Sequence, residues 1–330
     1  MKSVGPVKRD DASCMDHRIR DIQPGGGMII RLEKAWGVWR RWWLKRFRPK
    51  YVSRMLACRQ GDPQGVPHEV LDPRDLKLHR NQTHCHWRLE DDPFAWRDRL
   101  PFVRVGLAEL IVFSALIWPV AIVLTWIACQ VVSGAVERAL LMTVAAGVAS
   151  VGLIVAWFFR NPRRVIPTDP GLVVAPADGK VVDIERSNNP QLGGPIVQIT
   201  IFLSIFNVHI NRVPVAGRVV SIGYQPGKYL NALRPESSRE NEQLIIKLEQ
   251  SEAPFGPVIV RQITGAIARR IVCWLKPGDV LQRGELLGMI KLGSRTVLVI
   301  PDDGHLRIVT EVGANVKAGS SILARYEPSC

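Results

Sequence analysis

The sequence has only six cysteines, Cys14, Cys58, Cys85, Cys129, Cys273 and Cys330, and no Cys-x-x-C pair among them. That excludes a disulfide-rich secreted scaffold and fits reduced thiols facing the cytosol. The first 21 residues are polar and charged, so no cleavable signal peptide is expected at this end. Charge is nearly missing from the middle of the chain: residues 105–159 hold one Arg and two Glu. With 47% hydrophobic residues, wholesale disorder is excluded as well.

What is present is positive charge. The 330 residues carry 44 Lys+Arg against 30 Asp+Glu, a net +14. At roughly 100–200 residues per domain the length allows two domains, or one with a sizeable annex. An excess of this size points to a polyanionic partner, either nucleic acid or an anionic membrane surface. Its distribution favours the membrane. Residues 1–104 are net +9 and residues 160–330 net +6, bracketing two uncharged runs at 110–129 and 139–159. At 1.5 Å rise per residue each run can cross a hydrocarbon core of about 30 Å. A link at 133–138 joins them into a helical hairpin, and Pro119 inside the first span is a kink that membranes tolerate. Soluble core helices rarely run this long without a polar face. Arg88, Arg97, Arg99 and Arg104 precede the hairpin, and Arg160, Arg163 and Arg164 follow it. The positive-inside rule then puts both flanks in the cytoplasm, with the C-terminal half at the cytoplasmic face of the inner membrane.

The chain therefore divides into a basic extension (1–101), a transmembrane hairpin (102–160) and a C-terminal domain (161–330). Within the extension, 31–50 holds eight basic residues and one acid, and Leu32, Trp36, Trp39, Trp43 and Phe47 recur at helical spacing. This reads as an interfacial amphipathic helix on anionic lipid, in preference to a nucleic-acid-binding helix or one docked on another domain. Asp72-Pro73-Arg74-Asp75 reads as a turn. His79, His84, Cys85 and His86, with Cys58 and His68 upstream, lack paired metal-ligand spacing, and no metal is expected.

From residue 160 short apolar runs broken by Gly and Pro predict strands at 172–175, 179–184, 196–203, 218–222, 243–247, 258–262, 268–274, 296–300 and 306–310. There is an internal echo. Asp178-Gly179-Lys180-Val181-Val182 resembles Ala216-Gly217-Arg218-Val219-Val220, and Gly278-x5-Gly284 resembles Gly313-x5-Gly319. Such G-x5-G hairpins resemble the barrel-sandwich modules of biotinyl and lipoyl carriers, but the modified-lysine setting of those carriers does not occur here. The expected fold class is a mainly β catalytic domain, barrel-sandwich-like, preceded by the two-helix hairpin and the basic extension.

Five motifs coincide in order and spacing. They are Phe159-Arg160-Asn161-Pro162-Arg163-Arg164; Ala175-Pro176-Ala177-Asp178-Gly179; Phe202-Leu203-Ser204 through His209-Ile210-Asn211-Arg212-Val213-Pro214; Gln262-Ile263-Thr264-Gly265-Ala266-Ile267-Ala268-Arg269-Arg270; and Gly288-Met289-Ile290-Lys291-Leu292-Gly293-Ser294-Arg295-Thr296. Together they resemble the phosphatidylserine decarboxylase family in its short, membrane-anchored form, over roughly residues 102–328. Longer members carry a second His in the third motif, where Arg212 stands here.

The resemblance implies a self-processing pyruvoyl enzyme. Ser294 attacks the carbonyl of Gly293, and the chain breaks into a β chain of 293 residues and an α chain of 37, the latter starting with a pyruvoyl group made from Ser294. His209 is the implied base and Asp178 its orienting carboxylate, in the logic of a Ser-His-Asp arrangement. The pyruvoyl cofactor then forms a Schiff base with phosphatidylserine, which leaves as phosphatidylethanolamine and CO2. Arg212, Arg269, Arg270 and Arg295 are candidates to meet the lipid's phosphate or carboxylate. The implied partners are the lipid substrate, anionic membrane lipid and the two chains of one precursor; nucleic acid is not among them, and homo-oligomerisation stays open. The competing readings are a non-enzymatic, membrane-tethered barrel-sandwich adaptor and a decarboxylase acting on a different phosphoserine lipid.

Overall fold

The computed structural model describes residues 15–61, 70, 72–82, 85–87, 89–189, 192, 194–232, 234, 236–252, 255–266, 270–291 and 294–327. The chain divides into two compact units, Met1–Asp92 with Arg163–Cys330, and Pro93–Pro162. Residues 1–92 of the basic extension thus belong to the same unit as the C-terminal strands, and 93–101 to the hairpin unit.

The extension holds α1 (Met28–Phe47), α2 (Pro49–Cys58), β1 (Gln60–Gly61), α3 (Pro73–Leu78) and β2 (Cys85–His86). Pro49 disfavours helical backbone at Arg48, which splits the predicted 31–50 helix into α1 and α2. The predicted turn at residue 72 is instead a helix start. Asp72 caps α3 by accepting from the Arg74 N–H (2.9 Å), and Pro73 occupies the first helical position. Before α1 the chain lies on the C-terminal strands. Met15 bridges Ile222, Tyr224 N–H donates to Asp16 (3.2 Å), and Cys273 N–H donates to the Ile22 carbonyl (2.8 Å).

The second unit is the hairpin of α4 (Leu107–Gln130) and α5 (Ala135–Phe158). Both helices run past the uncharged stretches, because Glu109, Glu137 and Arg138 sit in their first turns. At 24 residues each they measure about 36 Å. Little of either is covered by protein: Ile111, Leu116, Ile122, Trp126, Leu140, Leu153 and Trp157 are exposed, which a buried core helix pair would not show. The hydroxyls of Thr125, Thr143 and Ser150 donate to carbonyls four residues back, so none needs water. A Cβ on Gly152 would come within 3.2 Å of Ile117 and Trp118, so this glycine lets the two helices close on each other. These features make the chain a membrane-associated protein.

The C-terminal strands are β3 (Leu172–Val174), β4 (Gly179–Asn189), β5 (Gly194–Leu203), β6 (Ile210–Arg212), β7 (Gly217–Gln225), β8 (Gln243–Gln250), β9 (Pro257–Ile263), β10 (Arg270–Cys273), β11 (Val280–Leu281), β12 (Leu286–Lys291), β13 (Ser294–Pro301), β14 (Leu306–Ile308), β15 (Asn315–Val316) and β16 (Ile322–Tyr326). An eight-stranded curled sheet has the order β11-β7-β8-β9-β13-β5-β4-β15, and two three-stranded sheets run β10-β12-β6 and β14-β16-β3.

This order reads the same from both ends, because the domain is a nested duplication. One copy is continuous, β6 to β12. The other is β3 to β5 followed by β13 to β16, with the first copy inserted between β5 and β13. The equivalences are detailed. β4 and β7 each carry a bulge just after the second residue beyond their opening glycine, at Val181/Asp183 and Val219/Ser221. Gly278 and Gly313 donate to the Val219 and Val181 carbonyls, and Gly284 and Gly319 to those of Val213 and Ala175, all at 2.8 Å. All four have φ between 76° and 98°, which glycine adopts without strain. The sequence echo is the visible residue of this symmetry. Ser294 stands where the chain re-enters the outer copy.

Gly179 and Gly217 open equivalent strands against a neighbouring backbone. A Cβ would lie 2.1 Å from the Phe202 carbonyl oxygen at Gly179, and 2.5 Å from that of Glu249 at Gly217. Gly179→Ala is expected to cost about 2–3 kcal/mol by forcing β4 and β5 apart. Gly223→Ala, with no atom near its Cβ, serves as the neutral control in the same thermal melts.

Candidate active site

Ser294 opens β13, the strand at the centre of the large sheet, paired to Leu203 of β5, while Arg295 pairs with Ile263 of β9. Strand alternation sends Ser294 and Thr296 to one face and Arg295, Val297 and Val299 to the other. The second face joins an apolar cluster with Ile196 and Ile263. The first face meets a layer of buried polar side chains. Asn211 on β6 donates to Thr296 Oγ1 (3.1 Å) and to the Pro176 carbonyl (3.2 Å), and accepts from Gln262 Nε2 (2.8 Å). Asn211 thereby ties the five-residue stretch around Asp178 to the strand that begins with Ser294.

His209 lies two residues before Asn211, immediately ahead of β6, and Ser294 lies two before Thr296 at the head of β13. The His209 ring is fully buried, and its Nδ1–H donates to the Asn207 carbonyl at 2.9 Å. That bond fixes the tautomer with the proton on Nδ1 and leaves Nε2 as the basic nitrogen. Ser294 is also fully buried, and among the described residues its Oγ has no hydrogen-bond partner. A buried hydroxyl without a partner costs stability and calls for a functional reason.

Asp178 is held otherwise than a triad carboxylate. Arg164 Nη2 donates to both of its oxygens (2.9 and 2.7 Å), and the Ala318 N–H donates to one (2.8 Å). The contact seen on His209 Nδ1 is thus a backbone carbonyl, while Asp178 ties the segment after the hairpin to the turn before β16. Arg212 shares this corner. Burial pushes its guanidinium below the usual arginine range, the nearby Arg164 adds to that, and Asp178 works against it. Two guanidiniums around one carboxylate leave the corner positive.

A second polar cluster borders the Ser294 end of β13. Asn241 donates to the Thr264 carbonyl (2.7 Å), Thr264 N–H donates to the Glu242 carbonyl (3.0 Å), and Tyr229 O–H donates to Glu242 Oε2 (2.7 Å). Burial raises the Glu242 carboxyl above its ordinary range, against Tyr229, Arg270 and Tyr224, which lower it. Burial likewise pushes Tyr224 up to about 12. The candidate arginines part company here. Arg270 faces Glu242, Arg295 points away from Ser294 and donates to the Ala232 carbonyl (2.6 Å), and Arg269 lies outside the described residues, as does Gly293. Lys291, the last residue of β12, donates to Gln23 Oε1 (3.1 Å), so the extension reaches the strand that leads into the Gly293-Ser294 bond.

Comparison with known proteins adds the decisive observation. Residues 151–324 match the family described as phosphatidylserine decarboxylase. The chain belongs to the phosphatidylserine decarboxylase family. It is 51% identical over 252 residues to a protein of Rhodopirellula baltica named phosphatidylserine decarboxylase proenzyme, covering 76% of this chain and 99% of that one. Proteins of the same name from Carboxydothermus hydrogenoformans and Syntrophus aciditrophicus are 46% and 43% identical over 176 and 175 residues, 53% of this chain in each case and 81% and 80% of theirs. The family resemblance read from the five motifs is confirmed, and with it the class of enzyme, a lyase.

Within the family's frame, the structure adds residues that sequence reading passed over. Arg164, Asn207 and Asn211 all stood inside the quoted motifs, but nothing in the sequence showed that Arg164 would take Asp178 or that the Asn207 carbonyl would take His209. Gln262 and Thr296 also stood inside the quoted motifs, but nothing in the sequence marked them as partners of Asn211. His79 of the His/Cys group is buried, while His68 and His84 fall outside the described residues, and among those described no three His, Cys, Asp or Glu gather as a metal site would need.

Proposed function

We propose that this chain is the precursor of a pyruvoyl-dependent decarboxylase that cleaves itself between Gly293 and Ser294 and converts phosphatidylserine to phosphatidylethanolamine and CO2. The observation that carries this reading is the buried, unpartnered Oγ of Ser294 at the head of the central strand, in a family whose members are named proenzymes. The hydroxyl is the nucleophile. His209 Nε2 takes its proton as Oγ attacks the Gly293 carbonyl, and the peptide link to Ser294 becomes an ester. Removal of the Cα proton expels the Gly293 carboxylate, leaving dehydroalanine on the new α chain. Addition of water and loss of ammonia convert that residue to the pyruvoyl group. The residues present fit such a group, since Ser294 is enclosed and sits against a hydrogen-bonded polar layer. Once formed, it supplies an electrophilic ketone beside an amide carbonyl, a sink for the electron pair left when CO2 departs.

The chain's own groups do the rest. His209 returns a proton to the carbon that has lost CO2. Asp178 is a positioning residue that holds Arg164 and the Ala318 turn in place around the site. Arg164 and Arg212 make a positive corner suited to the lipid's phosphate or carboxylate. The arginine flanks of the hairpin support a catalytic unit on the cytoplasmic side of the inner membrane. The β and α chains, 1–293 and 294–330, stay together because β13 pairs on both sides with strands of the β chain.

The test is to give the purified full chain phosphatidylserine, an ether lipid with the same head group, and free serine, and to follow CO2 and product mass. Phosphatidylethanolamine should form from the first. Equal turnover of free serine would overturn the lipid assignment. Phe206 offers a separate check. Ile205 and Phe206 expose apolar side chains next to Asn207, the residue that holds His209, as suits a substrate whose tails remain in the bilayer. Phe206→Ser should raise the apparent KM for bilayer-embedded substrate several-fold, about 1 kcal/mol of lost apolar contact, with kcat little changed.

A further inference from the structure

Helix α1 is inside out. A helix on the surface of a water-soluble domain buries its apolar stripe and shows its charges. Here the buried stripe is Ile30, Glu33, Gly37 and Leu44, and it docks largely through charge. Glu33 pairs with Lys77, Arg41 Nη1 donates to both Asp75 oxygens (2.8 and 2.7 Å), and Arg40 Nε lies 3.0 Å from Asp72. The opposite face presents Met28, Leu32, Trp36, Trp39, Trp42 and Phe47, each about half exposed or more. Over 20 residues this strip is about 30 Å long.

The composition of the strip selects its occupant. Three tryptophans lie among aliphatic and Phe side chains, and the exposed charges of α1 and of the chain through the start of α2, Arg31, Lys34, Lys45, Arg46, Arg48 and Lys50, are all basic. The one acid of the helix, Glu33, is buried and paired. Tryptophan at headgroup depth with lysine and arginine beside it is the chemistry of an anionic lipid interface. A nucleic-acid site would put its cations in the middle of the surface, against phosphates. Here most of the cations stand at the edges of the strip and beyond its end. The same chain also carries two helices of membrane length, so a bilayer is within reach.

The helix is also firmly joined to the catalytic strands. Lys34 pairs with Asp21 (2.6 Å), the Ile22 carbonyl accepts from Cys273, and Gln23 accepts from Lys291 at the end of β12. We propose that the outward face of α1 is an interfacial lipid-binding surface that lies flat on an anionic bilayer and holds the catalytic unit against it, as a contact additional to the α4–α5 hairpin. This goes beyond the decarboxylase reading and does not depend on it.

The test uses the full chain reconstituted at one copy per nanodisc, in phosphatidylcholine alone or with phosphatidylglycerol, followed by hydroxyl-radical footprinting and mass spectrometry. Oxidation of Met28, Trp36, Trp39 and Trp42 should fall roughly five-fold or more in the anionic discs, and high salt should restore part of it. In Trp39→Asp/Trp42→Asp, whose side chains are exposed, the melting temperature should be retained, while the protection of Met28 and Trp36 is lost. Equal labelling in the two discs overturns the proposal. So does protection that requires two copies per disc, or that added duplex DNA confers in place of the anionic lipid. None of these readouts uses CO2 release, so a failure here is distinct from a failure of the decarboxylase assignment.

Discussion

Ser294→Ala should leave a single chain of 330 residues that releases no CO2. The expected result is all or none, because the same oxygen is required twice. In the proposed mechanism it attacks Gly293 as a hydroxyl, and its loss with the ester leaving group creates the dehydroalanine from which the pyruvoyl group derives. Alanine can do neither. The control is built into the site. Among the described residues the buried Ser294 Oγ has no partner, so its removal takes away an unsatisfied polar atom and leaves none of their donors or acceptors stranded. The variant should therefore melt at or above the temperature of the uncleaved precursor, by as much as about 1 kcal/mol of added stability. Intact mass and thermal melts together separate lost chemistry from lost fold. In the parent, mass analysis should find chains of 293 and 37 residues, the shorter one resistant to Edman degradation because it begins with a ketone in place of an amine. A Ser294→Ala chain that still splits at this point would show that the nucleophile lies elsewhere.

The hairpin and most of the long strands were legible because they rest on local signals. Uncharged runs at 110–129 and 139–159 need only be counted, and β4, β5, β7, β8, β9 and β13 carry runs of β-branched and aliphatic residues. The five strands of the C-terminal domain outside the prediction, β6, β11, β12, β15 and β16, are two to six residues long. Their sequences have no period that a window can catch, and β12 is interrupted by Gly288. They exist because the copies of the duplication close on each other. Gly284 and Gly319 meet at Ile166, which no local rule foretells. The site divides in the same way. Ser294, His209 and Asp178 could be named from motifs. The partners of those residues, Asn207 for His209 and Arg164 for Asp178, depend on tertiary placement. The face of α1 is the sharpest case: helical spacing grouped Leu32, Trp36, Trp39 and Phe47, but it counted Trp43, which is half-buried, and passed over Trp42, which is exposed; the pairing of Glu33, Arg40 and Arg41 with Lys77, Asp72 and Asp75 then shows that the aromatic side is turned outward.

Substitution of His209 should separate self-cleavage from folding. The ring is fully buried, so His209→Ala opens a cavity and strands the Asn207 carbonyl, and some loss of stability is expected for reasons unrelated to chemistry. His209→Gln retains a side-chain amide able to donate to that carbonyl, but no group that can accept a proton as a base. If His209 takes the Ser294 proton, both variants should process about 10²–10⁴ times more slowly than the parent, the range expected for loss of a positioned general base. The Gln variant should do so while melting close to the parent. Added imidazole should restore part of the rate to His209→Ala, whose cavity can admit it, and little to His209→Gln, whose side chain fills the space. The measurement is the appearance of the 37-residue chain with time after denatured precursor is returned to folding conditions. A His209→Gln chain that cleaves at the parental rate would remove His209 from the self-cleavage step. Any slowing of CO2 release in the cleaved variant would then report proton return to the substrate carbon alone. If both steps slow together, one imidazole serves both, consistent with a chain in which Arg212 stands where longer relatives carry their second histidine.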